Sequence, residues 1–221
     1  MSYIIGADKF VSEQIKNMKY TDTPKILKVS DKITIGWDDI LPDPPMNDSE
    51  TTRKELAYLA KLTKNVSSAQ LDLIKLVDEE PNDLFHKTMR DLNIEFPQEI
   101  FKRSWNIIKP VIMNLKYMHN RPRPYQLASK YGLKITLRDS KTAQTPAYPS
   151  GHTSYAALSA YILAAKYPQF ADHFFDKIQS AGMARMLMGV HYPSDNEASM
   201  IITGALWEDI RYKLFPELPN F

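Results

Sequence analysis

The sequence predicts an all-α protein, a single-domain helical bundle whose functional groups gather at helix ends. Three observations point there. Only seven of 221 residues are glycine, while helix-favouring Ala, Leu, Met and Lys are abundant. Apolar residues recur three and four positions apart through most of the chain. Prolines such as Pro81, Pro97 and Pro124 stand between these periodic stretches, where they separate helices.

The elements follow in order. Residues 34–49 hold Trp37, Asp38, Asp39 and the run Leu41-Pro-Asp-Pro-Pro45, a proline density that makes an extended connector. Ser49 or Thr51 caps a first helix to about Lys64, with Leu56, Leu59, Ala60 and Leu62 on its apolar side. Ser67 or Ser68 starts a second, with Leu71, Leu73, Ile74 and Val77 along one side, and a shorter helix covers residues 83–92. Beyond Pro97, residues 100–118 form a long helix carrying Phe101, Trp105, Ile108, Val111, Ile112 and Leu115, with a kink expected at Pro110. Lys116 lies at its end. The segment Asn120-Arg-Pro-Arg-Pro124 cannot stay helical, so Arg123 falls on a turn. Residues 133–145 read as an irregular loop.

Ser150 then caps a helix to about Lys166 that is rich in small residues, which let helices approach closely at the centre of a bundle. A helix over residues 169–188 carries Arg185 and ends at Gly189. After the turn His191-Tyr-Pro-Ser-Asp195, Ser194 or Asp195 caps the last helix, with Ile201, Ile202, Leu206 and Ile210 facing inward. Residues 1–221 are read as one domain, with 1–95 a helical part of unassigned role and 96–221 the part carrying the chemistry.

Composition narrows the function classes. The chain has no cysteine, which removes disulfides, thiolate metal sites and cysteine nucleophiles and favours a reducing compartment. A formal net charge of +2 gives no footprint for nucleic acid. No apolar run reaches the ~20 residues that span a bilayer. The N-terminal stretch MSYIIGADKFVSEQ meets charge too early for a signal peptide. A cytoplasmic protein without integral membrane association is the expectation.

Three clusters carry chemistry: Lys116 with Arg123-Pro124, then Pro149-Ser150-Gly151-His152, then Arg185 with His191 and Asp195. A helix beginning at Ser150-Gly151 presents unpaired N–H groups and the positive end of its dipole, and Gly151 lets an anion come close. Lys116, Arg123 and Arg185 add three cations, the guanidiniums suited to paired oxygens. This is a phosphate-binding inventory that needs no metal ion. His191 and Asp195, four residues apart across a turn, form a nucleophile and its orienting carboxylate, since a bare imidazole nitrogen attacks only if the other N–H is held. His152, in the first turn of the helix, is placed to protonate a leaving oxygen and later take a proton from water. Arg121 is also followed by proline, and the spacing from Lys116 favours Arg123 over it.

These patterns, K-x6-R-P, P-S-G-H and R-x5-H-x3-D, resemble the signature of the type 2 phosphatidic acid phosphatase superfamily, in order and over about a third of the chain. That superfamily includes bacterial acid phosphatases, lipid phosphatases and vanadium haloperoxidases. The resemblance implies a helical bundle and a phosphoric ester hydrolase working without a cofactor. Lys116, Arg123, Ser150, Gly151 and Arg185 would bind phosphate, His152 would be the acid/base, His191 the nucleophile and Asp195 its orienter. The third motif usually has serine before its arginine; here Ala184 stands there, at the expected cost of a supporting hydrogen bond.

The reaction expected is hydrolysis of phosphomonoesters or pyrophosphate-type bonds through a phosphohistidine, with a small phosphorylated substrate as partner. Two other readings share the residues: a vanadium-dependent haloperoxidase with His191 ligating vanadate, and a non-catalytic phosphate- or phospholipid-binding module. Retention of both histidines argues against the last. His86, His119 and His173 read as surface or partly buried residues, and Tyr148 and Tyr192 as wall or packing residues. Oligomeric state leaves no mark in the sequence.

Overall fold

The computed structural model describes residues 26–37, 40–79, 81–140 and 142–218. The expectations for the N-terminal stretch and for Asp38 and Asp39 lie outside these residues. Among the described residues there are eight α-helices and no strand, as the composition predicts. They are α1 Glu50–Leu62, α2 Ser68–Glu79, α3 Asp83–Asp91, α4 Gln98–His119, α5 Pro124–Ala128, α6 Gly151–Lys166, α7 Ala171–Leu187 and α8 Pro193–Leu214.

The organising element is α6. It packs against α4, α7 and α8, while α1, α2 and α3 rest on α7. Its small residues explain that position. Ala156, Ala157, Ser159 and Ala160 are buried with Leu158 and Leu163, so the helix is enclosed on nearly all sides. The main core gathers the alanines and leucines among them with Phe101, Ile108 and Ile112 of α4, Phe174 and Ile178 of α7, and Ile202, Leu206 and Ile210 of α8. Burying a side chain such as Leu158 is worth about 1.5–3 kcal/mol in removed apolar surface.

Helix ends follow the local chemistry, with four departures from expectation along the chain. Ser49 caps α1 by accepting from the Thr52 N–H at 3.2 Å, and Ser150 caps α6 through Thr153. The last helix is capped at Tyr192 instead of Ser194 or Asp195: Pro193 occupies the first turn, where its missing N–H costs nothing. Asp195 is therefore inside the helix, and its carboxylate reaches back to the Tyr192 N–H at 2.9 Å. Residues 168–170 form a separate 3-10 turn before α7. α4 continues through Pro110 as one element of 22 residues. Pro124 starts the short helix α5, because proline's fixed φ suits a first helical position.

Gly189 ends the α7 segment with φ +76°, and a Cβ there would stand 2.6 Å from Ile135 Cγ2. Position 189 thus requires glycine for conformation and for space. The turn it makes delivers His191 back toward the start of α6. No helix among the described residues is long and apolar enough to cross a membrane.

Candidate active site

The N-terminal end of α6 and the C-terminal ends of α4 and α7 converge on a cavity of about 590 Å³. Of the residues expected from sequence, Lys116, Arg123, Gly151, His152, Arg185 and His191 line it. Ser150 and Asp195 are buried directly behind, fully out of contact with solvent. All eight are therefore brought together, six at the surface of the cavity and two in support.

His191 is held at both nitrogens. Its Nδ1 lies 3.0 Å from Asp195 Oδ2, and its Nε2 lies 2.8 Å from an Arg123 terminal nitrogen. A guanidinium can only donate, so Nε2 must accept, and the proton belongs on Nδ1 facing the carboxylate. The tautomer is the one a nucleophile at Nε2 requires. Burial, then Arg123, Lys116 and Arg185, holds the His191 pKa well below the ordinary histidine value. Neutral imidazole consequently persists into mildly acidic solution. Burial and the nearby Arg185, followed by His191 and Lys116, push His152 in the same direction.

Asp195 is saturated by donors. Besides His191 and the Tyr192 N–H it accepts from Arg121 at 2.6 Å. Arg121 is buried, stacks 3.8 Å above the Tyr192 ring, and donates its other end to Glu55 at 3.0 Å. Glu55, on α1, also accepts from the Ser194 N–H at 2.6 Å. The two arginines of Arg121-Pro-Arg123 thus divide the work: Arg121 secures Asp195 from behind, and Arg123 faces the cavity. The spacing argument that preferred Arg123 is consistent with this geometry.

The cations are anchored by different partners. Lys116 Nζ donates to the carbonyls of Pro146 and Ala147 at 2.7 and 3.1 Å. Its pKa is lowered well below the usual lysine value by burial and then by Arg123. Arg123 donates to the carbonyls of Thr145 and Val190, each at 2.8 Å. Arg185 instead donates to the carboxylate of Asp78 on α2, and to Ser140 and Thr142 at 3.2 and 3.3 Å. Burial lowers its pKa and Asp78 opposes that shift.

At the opening of α6 the first N–H groups have no carbonyl one turn back to accept them. They lie beside the cavity that Gly151 and His152 line. A Cβ on Gly151 would meet only Ile112 and Lys116 side-chain atoms at 3.8 and 3.9 Å, ordinary contacts, so protein packing alone does not demand glycine there. Behind the turn, Ser199 Oγ reaches the Ser150 carbonyl at 2.9 Å, tying α8 to the start of α6. One wall is apolar: Phe101, Trp105, Ile108 and Ile112 of α4 face Tyr155 of α6. Among the described residues no group of three or more His, Cys, Asp and Glu side chains is placed to hold a metal ion.

Other residues weighed from sequence have packing roles. His119 is buried edge-on against Tyr148 and lies outside the cavity lining. Tyr192 supports Arg121. His86 is exposed and stacks on Phe96. Ala184 is fully buried in the main core. Sequence reasoning missed Glu55, Asp78 and Thr145, none of which belongs to a local pattern.

The structure is that of a helical protein whose helix ends bring three cations, the opening of α6 and a carboxylate-held histidine together around one cavity. A family model for the PAP2 superfamily matches residues 105–215, half of the chain, and the chain belongs to that superfamily. It is similar to the non-specific acid phosphatase of Providencia stuartii, 32% identical over 89 residues, or 39% of this chain and 34% of the relative. It is also similar to the non-specific acid phosphatase of Salmonella typhimurium LT2, 27% identical over 108 residues, 45% of this chain and 42% of the relative. The matches therefore span between about a third and two fifths of these relatives' length.

Proposed function

We propose that the protein is a phosphatase that hydrolyses phosphomonoesters or pyrophosphate-type bonds through a phosphohistidine, without a metal ion. The observation that carries this reading is His191, fixed by Asp195 as the Nδ1–H tautomer with its Nε2 lone pair facing Arg123 in the cavity. Superfamily membership and the similarity to two non-specific acid phosphatases support the same reaction class.

In the proposed reaction the phosphoryl group takes the place between Lys116, Arg123, Arg185 and the N–H groups that open α6. Arg123 turns from Nε2 to a phosphoryl oxygen, uncovering the lone pair. Nε2 then bonds to phosphorus as the bond to the leaving oxygen breaks, and His152 gives that oxygen a proton. His191 gains positive charge, which Asp195 stabilises. In the second half, His152 takes a proton from water as the water oxygen bonds to phosphorus and the phosphorus–nitrogen bond breaks. Inorganic phosphate leaves and both histidines return to their starting states. Charge on the equatorial oxygens is met by the cations and backbone donors, the largest expected contribution to the rate.

His152 must carry a proton to act first as acid, yet burial and Arg185 depress its pKa. A bound phosphoryl dianion offsets those cations and raises it, and acidic solution favours the protonated form. The substrate would be small and phosphorylated, its leaving group seated along the Phe101–Trp105 wall. Hydrolysis of p-nitrophenyl phosphate in EDTA tests the reading, with acid quenching to trap the histidine-linked phosphate. His191→Ala should lose at least about 10³-fold in kcat, as for removal of a covalent nucleophile. Unchanged turnover in that variant, or turnover only with added divalent metal, would overturn it.

A further inference from the structure

Three cations face the proposed phosphate position, and they are not held alike. Lys116 and Arg123 are anchored by neutral carbonyls, which orient a cation without cancelling its charge. Arg185 is tied to a carboxylate: Asp78 of α2 takes one terminal nitrogen, while Ser140 and Thr142 take the other. Arg185 Nε is buried and has no hydrogen-bond partner. Asp78 itself lines the cavity, at 12% side-chain exposure, so its charge stands beside any bound anion.

We propose that Asp78 is an internal counter-anion that competes with phosphoryl oxygens for Arg185 and so weakens the grip on phosphate. The inference rests on the phosphate-site reading above. A phosphoryl group reaching Arg185 finds one terminal nitrogen taken by Asp78 and the other by Ser140 and Thr142. A pair of bonds that uses the first nitrogen brings the phosphoryl oxygens into competition with Asp78 for it. Asp78 sets a negative charge against Arg185 inside the cavity and so lowers the positive charge that a phosphate dianion meets there. Without that carboxylate the site is more positive, which would retain the released product. Asp78 thus acts through Arg185 as a positioning residue that sets product affinity, and it comes from outside the superfamily match.

The competing account is that Asp78 only holds Arg185 in place. The two accounts predict opposite signs. Titration of the full chain with inorganic phosphate, by calorimetry at fixed ionic strength, separates them. Under the proposal Asp78→Asn, which keeps the shape and removes the charge, binds phosphate about tenfold or more tightly. Its inhibition constant for phosphate in p-nitrophenyl phosphate hydrolysis falls by the same factor. Asp78→Ala, which also frees Arg185, follows the same direction. Unchanged or weaker phosphate binding in a folded Asp78→Asn protein overturns the proposal. Arg185→Ala isolates the parent reading: loss of phosphate binding there shows that the site is the one measured. If neither the natural chain nor Asp78→Asn binds phosphate, both readings fall; if only Asp78→Asn binds, the counter-anion role is the stronger for it.

Discussion

At the residue scale, Gly151 separates folding from ligand binding. Its neighbours leave ordinary contact distances for a Cβ, and it is the first residue of α6, where alanine is the better helix former. Gly151→Ala should therefore keep or raise the melting temperature, by up to about 1 kcal/mol of stability. The same methyl stands beside the free N–H groups, so the Michaelis constant for a phosphomonoester should rise several-fold. A thermal melt and a substrate titration on one preparation check both. Two motif pairings were legible in sequence because the partners lie within a few positions: His191 and Asp195 are four apart, and Ser150 caps its own helix. Asp78 and Arg185 are 107 residues apart, and Glu55 and Ser194 are 139 apart. No spacing rule signals such a pairing, because the folded core alone brings the two segments together.

At the element scale, α1 reaches the site through one side chain. Glu55 accepts from Arg121 and from the Ser194 N–H, so it fixes both the Arg-Pro-Arg segment and the turn before α8. Removing its charge leaves Arg121 buried with only Asp195 as carboxylate partner. Glu55→Gln should cost about 3–5 kcal/mol, as for breaking a buried ion pair from one side. Urea unfolding measures it. In the fraction that remains folded kcat should fall while the Michaelis constant changes little, since Glu55 orients Asp195 and does not face the cavity. The helices themselves were readable from periodicity and caps, and α6 was recognisable as central from its small residues. The start of α8 was misplaced because Ser194 and Asp195 are both strong capping types, and Pro193 decided the frame by needing a position whose N–H is free anyway. The short α5 was hidden by the prolines that begin it.

At the scale of the whole molecule, buried histidines couple stability to pH. The folded-state pKa values of His152 and His191 lie well below the ordinary 6.5, so the unfolded chain binds more protons as pH falls. Their contribution to stability is complete above 6.5 and is progressively lost as pH drops from there toward the depressed folded values. Melting temperature should decline from pH 7 to pH 5, and 10 mM phosphate should recover part of the loss, since a bound anion offsets the cations that disfavour protonation. A double variant, His152→Gln with His191→Gln, should flatten that decline.

The buried arginines bear on how the chain can be divided. Arg121 and Arg185 both lie within the stretch matched to the superfamily; Asp78, which pairs with Arg185, and Glu55, which shares Arg121 with Asp195, lie before it. The molecule is in this sense an electrolyte split between two parts of one chain, the later part short of anions and the earlier part supplying them. A fragment of residues 96–221 would have to bury Arg185 with no carboxylate beside it. Expressed alone, it should show little cooperative melting by circular dichroism. Adding a separate fragment of residues 26–95 should restore a melting transition, and restore it less well when that fragment carries Asp78→Ala and Glu55→Ala.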